Sequence, residues 1–310
     1  MTTVADGLYQ FGGMPVGVSD TLSKIFSTPV KGRAWYVDAA YGGNGDGKSP
    51  KSAFSTMERA FNSIASGDII YFVGKITEQL VTPVNIFDVT VVGAGNRPHH
   101  ADATPVGGNL AAATWAAPAS PVAAQALCRV IQQGWRFVNI LWAGSAGCAS
   151  LEFVRNAAAG DLERDASHGH VLGCRFAGVA STDSGIKFGA TSYTEIVNNT
   201  RIEGNDFQGC ATAIKAHAVN LQYRSQIVNN IFISNTNDIV LGAYFDHIIG
   251  NVMSLAPTAS IVLSGGTGSS QVHGNYLPGT YATGTLYAPG TNDNWNGNYA
   301  STGVTAAVPS

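Results

Sequence analysis

The sequence predicts an all-β protein: a single-stranded parallel β-helix, one coil per repeat, with an N-terminal capping α-helix. Three observations carry this. The 310 residues include 37 glycines, and short Val/Ile/Phe runs are punctuated by Gly and Asn, the pattern of many short strands and tight turns rather than long helices. A template recurs in the second half, at 202–207 (IEGNDF), 227–232 (IVNNIF), 248–253 (IIGNVM), 272–277 (VHGNYL) and 295–300 (WNGNYA). Subtracting the positions of its asparagines, Asn205, Asn230, Asn251, Asn275 and Asn298, gives steps of 25, 21, 24 and 23, the length of one solenoid turn.

The elements follow in order. Residues 1–33 form an N-terminal leader, 34–300 the β-helix and 301–310 a tail. Ser55 and Glu58 have capping-box spacing, and Met57, Ala60, Phe61 and Ile64 share one helical face before Gly67, so an amphipathic helix is expected over 56–66, where it would cover the exposed end of the solenoid. Strands begin at 68–73 and 88–92, and the Ala/Pro/Gly-rich stretch 96–125 is expected as a projecting loop. Two looser copies of the template, 132–137 and 171–176, place Trp135 and Cys174 in the asparagine slot, with the spacing widened to 39 and 31.

Within each copy Ile202 and Phe207, or their equivalents, are both apolar yet five apart, so the chain bends at the Gly-Asn pair. Asparagines stacked at the strand spacing of about 4.8 Å can then hydrogen-bond from coil to coil as an internal ladder. A further short strand follows each copy: 151–153, 186–188, 214–216, 239–241, 261–263 and 286–288. A leucine-rich repeat, the other asparagine-ladder solenoid, needs a leucine density that is missing here.

Composition excludes several functions. Seventeen basic against twenty acidic side chains supply no basic stripe for nucleic acid. No apolar run approaches the roughly 20 residues of a membrane span, and residues 1–10 lack the segments of a signal peptide, so neither membrane insertion nor general secretion is expected. Cys128, Cys148, Cys174 and Cys210 lack metal or disulfide spacing and are expected as buried apolar residues. Residues 42–49 match the phosphate-loop pattern GxxxxGK[ST], but Pro50 follows Lys48-Ser49 where a helix is required. No cofactor is expected; the weak alternative is Ca²⁺ near Asn44 and Asp46 in that turn, and no metal site is assigned to His99, His100 and Asp102.

Outward positions on successive coils lie about 5 Å apart, so columns of side chains carry whatever chemistry the protein has. On the last strand of each coil the column runs Glu152, Lys187, Lys215, Val240, Val262 and Tyr287, with His217 beside Lys215. Glu152 with the two lysines suits proton abstraction beside a neutralised uronate, or equally a solvated ladder of ion pairs. Asp161, Glu163 and Asp165, with Arg164, His168 and His170, form the densest polar segment and a second candidate for glycoside chemistry. The later coils turn Val228, Ile231, Val240, Ile249, Val252 and Val262 outward, an apolar flank that a rotationally symmetric homo-oligomer, preferably a trimer, would bury.

With these residues in hand the chain resembles the right-handed parallel β-helix proteins of pectate-lyase-like fold, and more narrowly the tailspike and fibre proteins of bacteriophages. The carriers are 35–40 (WYVDAA), 44–50 (NGDGKSP), 67–71 (GDIIY), 91–98 (VVGAGNRP) and the Gly-Asn coils. The resemblance implies a homotrimer on a virion, extracellular, attached to other virion proteins through its N-terminal segment and recognising host-surface glycan; some such proteins also cleave it as lyases or glycoside hydrolases, and others are purely structural. The stacked aspartates and arginine of pectate lyases are missing from this sequence, so no catalytic residue is carried over.

Overall fold

The computed structural model describes residues 9–11, 14–16, 32–41, 43, 45–95, 113–145, 147–156, 164–178, 184–190, 196–217, 222–242, 244–254, 258–263, 268–300, 303–304 and 309. Their strands stack in parallel into three long sheets of ten, seven and eight strands, named I, II and III in the order the chain visits them on each turn. One turn is typical: Arg201–Glu203 in sheet I, Asp206–Gln208 in sheet II and Thr212–Ala216 in sheet III, before the chain returns to sheet I at Gln226–Val228. The architecture is a parallel β-helix.

Register follows from which residue types can face inward. In sheet I the inner column is Trp35, Ile70, Val91, Phe137, Val171, Ile202, Ile227, Ile248, Val272 and Trp295, each paired with the next. Sheet II supplies Ile76, Trp115, Trp142, Phe176, Phe207, Phe232 and Met253. Its rings are nearly parallel, with centroids 5.0 Å apart for Trp115–Trp142 and 4.7 Å for Phe176–Phe207. Each such stack contributes about 1 kcal/mol beyond its buried area. The inner columns of all three sheets merge into one core. All four cysteines are buried and unbridged, Cys128, Cys174 and Cys210 within this core, with the thiols of Cys174 and Cys210 pushed up to about 12 by burial.

The bend between sheets I and II has two parts. A left-handed residue turns the chain: Gly204, Asn229, Gly250, Gly274 or Gly297, with φ between +55° and +67°. The following asparagine points inward. Asn205, Asn230, Asn251, Asn275 and Asn298 stack there, and the side-chain oxygen of each later member accepts from both the backbone and side-chain nitrogens of the one before, at 2.9–3.0 Å. The second amide hydrogen of Asn251 goes to the Ile227 carbonyl at 2.9 Å, so these buried amides are paired through the core. A second polar column lies at the entry to sheet I: Thr200, Ser225, Asp246, Ser270 and Asp293, all buried, with Asp246 accepting from Ser225 N at 2.8 Å and Asp293 from Ser270 N at 2.9 Å.

Four expectations are corrected. The helix over 56–66 is not formed; only Met57–Phe61 is α-helical, after a 3₁₀ turn at Pro50–Ser52. Glu58 does not close a capping box. Thr56 accepts from Arg59 N at 3.4 Å, and the distant Glu78 carboxylate takes Met57 N and Glu58 N at 2.9 and 2.8 Å. Beyond Ile64 the Asp68 carboxylate binds Arg33 N, Ala65 N and the Trp35 indole at 2.7–2.8 Å, pulling the chain into sheet I. The stretch 96–125 is not all loop, because Thr114–Ala116 is a sheet II strand with Trp115 wholly buried. Residues 132–137 are not a copy of the template: Phe137 pairs with Val91 and Val171 in sheet I, the bend falls at Asn139 (φ +56°), and Ile140 rather than Trp135 occupies the ladder slot. Finally, Tyr287 faces inward opposite Ile261, leaving Ala288 to follow Val262 on the outer face, and its ring packs edge-on against Trp295.

Candidate functional surface

The outer face of sheet III carries the column Arg129, Glu152, Lys187, Lys215, Val240, Val262 and Ala288. Arg129 was legible from its alternation in Cys128–Val130, a strand not singled out in the sequence. Glu152 is only 1% exposed, with Oε2 2.5 Å from Arg129 Nε and Oε1 3.6 Å from Lys187 Nζ, itself buried. This is a dry ion triad rather than a solvated ladder or an open catalytic column, and both oxygens of the carboxylate are committed to cations. Lys215 is half-buried and His217 exposed farther along.

Asp161 and Glu163 lie outside the described residues, as do Asn44, His99, His100 and Asp102. Asp165 pairs with Arg155 across a short antiparallel ladder and accepts from Ser167 N at 2.9 Å and Gln133 Nε2 at 3.0 Å. His170 Nε2 lies 3.7 Å from Glu203 Oε2, and burial holds its pKa below the usual histidine value despite that acid. Asp46 accepts from Ser52 Oγ and Lys48 N at 2.8 and 3.1 Å, so its carboxylate closes its own turn. Among the described residues no three His, Cys, Asp or Glu side chains are grouped to hold a metal ion.

The six outward apolar residues occupy three faces. Val228 and Ile249 are half-buried on sheet I, Ile231 and Val252 exposed on sheet II, and Val240 and Val262 half-buried on sheet III. The first four flank the asparagine bend. Tyr276 and Tyr299 extend the sheet II column, giving an exposed edge of Ile231 (41%), Val252 (48%), Tyr276 (61%) and Tyr299 (51%) on consecutive rungs.

A different cluster sits at the corner entering sheet I. Most rungs place a left-handed residue there: Gly67, Asp88, Gly134, His168, Asn199 and Asn292 in six of them, and Arg224 and Phe245, both at φ +54°, in two adjacent ones; the rung of Gln271–His273 does not. Left-handed backbone costs a bulky residue about 1–2 kcal/mol. The Tyr223 ring packs edge-on against Phe245 with centroids 5.6 Å apart and lies 6.2 Å from Tyr244, while the Arg224 guanidinium lies 4.9 Å from the Tyr223 centroid. Phe245 is 45% exposed. The next rung brings Gly268 so close that a Cβ there would be 2.8 Å from Tyr244 Cα, so its backbone lies directly against that of Tyr244 and Phe245. Beside it, on the outer face of sheet I, run Arg201, Gln226, His247, Gln271 and Asn294, all exposed and one rung apart. An aromatic platform next to a row of planar hydrogen-bonding groups can stack a sugar ring and bind its hydroxyls.

Solved structures with the same architecture include a pectin methylesterase from Aspergillus niger (14% identity, 90% of this chain and 92% of that one, TM-score 0.47), a DFA-IIIase from Arthrobacter chlorophenolicus A6 (16%, 86% and 70%, TM-score 0.47) and a tailspike protein of E. coli bacteriophage HK620 (14%, 91% and 57%, TM-score 0.41). The likeness is one of fold. No family model and no curated protein matches the sequence.

Proposed function

We propose that this chain is a virion-associated β-helix protein of the tailspike, fibre or decoration kind that binds host-surface polysaccharide as a homotrimer. The observation that carries this is the corner cluster: two adjacent rungs put the large side chains of Arg224 and Phe245 on left-handed backbone, where the rung before them has Asn199, and these side chains face solvent beside Gln226 and His247. Left-handed backbone carrying two large, solvent-facing side chains supports use by a ligand. In this reading the winding is right-handed, the Met57–Phe61 turn closes the N-terminal end, and the exposed edge from Ile231 to Tyr299 is shared between subunits. Binding without cleavage is favoured because both Glu152 oxygens are occupied by Arg129 and Lys187.

The test is retention of capsular polysaccharides and lipopolysaccharides by the full chain, with reducing ends and unsaturated uronate followed in the same samples. Retention without release is the expected result. Release of either product would make the protein an enzyme, and no retention across the panel would leave a structural subunit.

A further inference from the structure

Four rungs of sheet I, from Gln226–Val228 through Asn294–Asn296, carry no carboxylate on the outer face among the described residues. The acids of those rungs, Asp246 and Asp293, are on the inside, buried and hydrogen-bonded to Ser225 and Ser270. The next outer carboxylate toward the N-terminus is Glu203, and it is neutralised: Arg201 Nε lies 2.7 Å from its Oε2 and holds its pKa below the usual carboxylate range. The acid-free stretch bears Arg224 at its margin and His247 and His273 on its rungs, on a chain whose net charge is −3. A cation against an aromatic face, in a region cleared of acids on an otherwise acidic protein, is a local field that selects for an anion.

We propose that the corner of Tyr223, Arg224, Tyr244 and Phe245 takes an acidic polysaccharide, one carrying a carboxylate on a sugar that stacks against Phe245. The carboxylate faces the Arg224 guanidinium, and the neighbouring sugars run along the rungs over Gln226, His247 and Gln271, since one pyranose spans about the 4.8 Å between strands. This rests on the glycan-binding reading and adds the class of glycan. It also accounts for arginine at a left-handed position: a planar, permanently charged fork serves carboxylate recognition where glycine would serve only the turn.

The experiment pairs each uronic-acid-containing capsular polysaccharide in a panel with its own carboxyl-reduced neutral form and measures the affinity of the full-length protein for both at 50 and 300 mM NaCl. Expected are binding to at least one acidic member, a tenfold or greater loss on carboxyl reduction, and weakening with salt. Arg224→Gln is expected to lower affinity for the acidic form about tenfold and for the neutral form by less, with the variant's circular dichroism and melting temperature reporting that the fold is intact. Phe245→Gly, which relieves the backbone, is expected to lose both. Equal affinity for acidic and reduced forms, or no effect of Arg224→Gln, overturns the acidic assignment while glycan binding stands; no binding to either form of any member removes both.

Discussion

Replacing Asn251 tests the interior of the solenoid most directly. Its Oδ1 accepts from Asn230 N and Asn230 Nδ2, and its Nδ2 donates to the Ile227 carbonyl and Asn275 Oδ1, all at 2.9–3.0 Å and wholly out of solvent. Asn251→Ala removes four hydrogen bonds at about 1 kcal/mol each and leaves groups that water cannot reach, so a loss of about 4–5 kcal/mol is expected in urea unfolding followed by circular dichroism. Asn296→Ala, an exposed asparagine whose Nδ2 bonds only the nearby Asn294 side chain, is the control and should change stability by less than about 0.5 kcal/mol. Asn251→Asp sharpens the test. It keeps the acceptor but turns an oxygen toward two others, the Ile227 carbonyl and Asn275 Oδ1, so the neutral acid is favoured and the variant should be less stable at pH 8 than at pH 4. An alanine variant within 1 kcal/mol of the parent, or an aspartate variant indifferent to pH over that range, would refute the ladder as a stabilising element.

Other outcomes follow from single contacts. Burial pushes the Asp238 carboxyl up to about 7 despite hydrogen bonds from Asn235 and Ser260, so the folded state holds a proton that the unfolded chain releases near pH 4; its stabilising contribution is present below that pH and lost as pH rises through 7. Asp238→Asn should therefore gain on the parent by up to about 4 kcal/mol at pH 8 and by little at pH 4 in urea titrations. Glu78→Ala, which strips the acceptors from Met57 N and Glu58 N, should cost about 1–2 kcal/mol, and an unchanged melting temperature would show that the helical turn does not depend on it. Phe245→Gly should raise stability by about 1 kcal/mol while abolishing glycan retention, and Arg224→Gly should raise it similarly while weakening retention of acidic glycan about tenfold; variants that are destabilised would mean that these side chains serve packing. Val252→Asp should convert a trimer to a monomer by light scattering with its circular dichroism unchanged, whereas a wild-type monomer would remove the exposed edge from any assembly.

The five late rungs were legible because the same geometric demands recur at the same places: an apolar residue in sheet I, a left-handed residue, an inward amide and an apolar residue in sheet II. Upstream the pattern misled. Trp135 and Phe137 are two apart and both buried, as a ladder residue and a sheet II residue would be, and only pairing with Val91 and Val171 shows that they belong one bend earlier. Tyr287 sits in a two-residue strand, too short for alternation to say which side faces in. Helix length was lost for a different reason, since the three bonds that Asp68 gathers from Arg33, Trp35 and Ala65 join segments that no local pattern connects.

The outer surface was less legible than the core, because alternation gives direction and not burial. Glu152 points outward as the strand pattern requires and is nonetheless dry, held by Arg129 and Lys187 from adjoining rungs, so a column that looks reactive in sequence has no unoccupied carboxylate oxygen in three dimensions. The corner at Arg224 and Phe245 shows the converse. Nothing in those two residues alone marks a site, but once register aligns them with Gly67, Asp88, Gly134, His168, Asn199 and Asn292 they are the two largest side chains on left-handed backbone that costs such residues about 1–2 kcal/mol, and they fall on adjacent rungs. A cost of that size at two successive rungs, with Tyr223 and Tyr244 packed beside it and solvent in front, is better explained by what the side chains bind than by what they support.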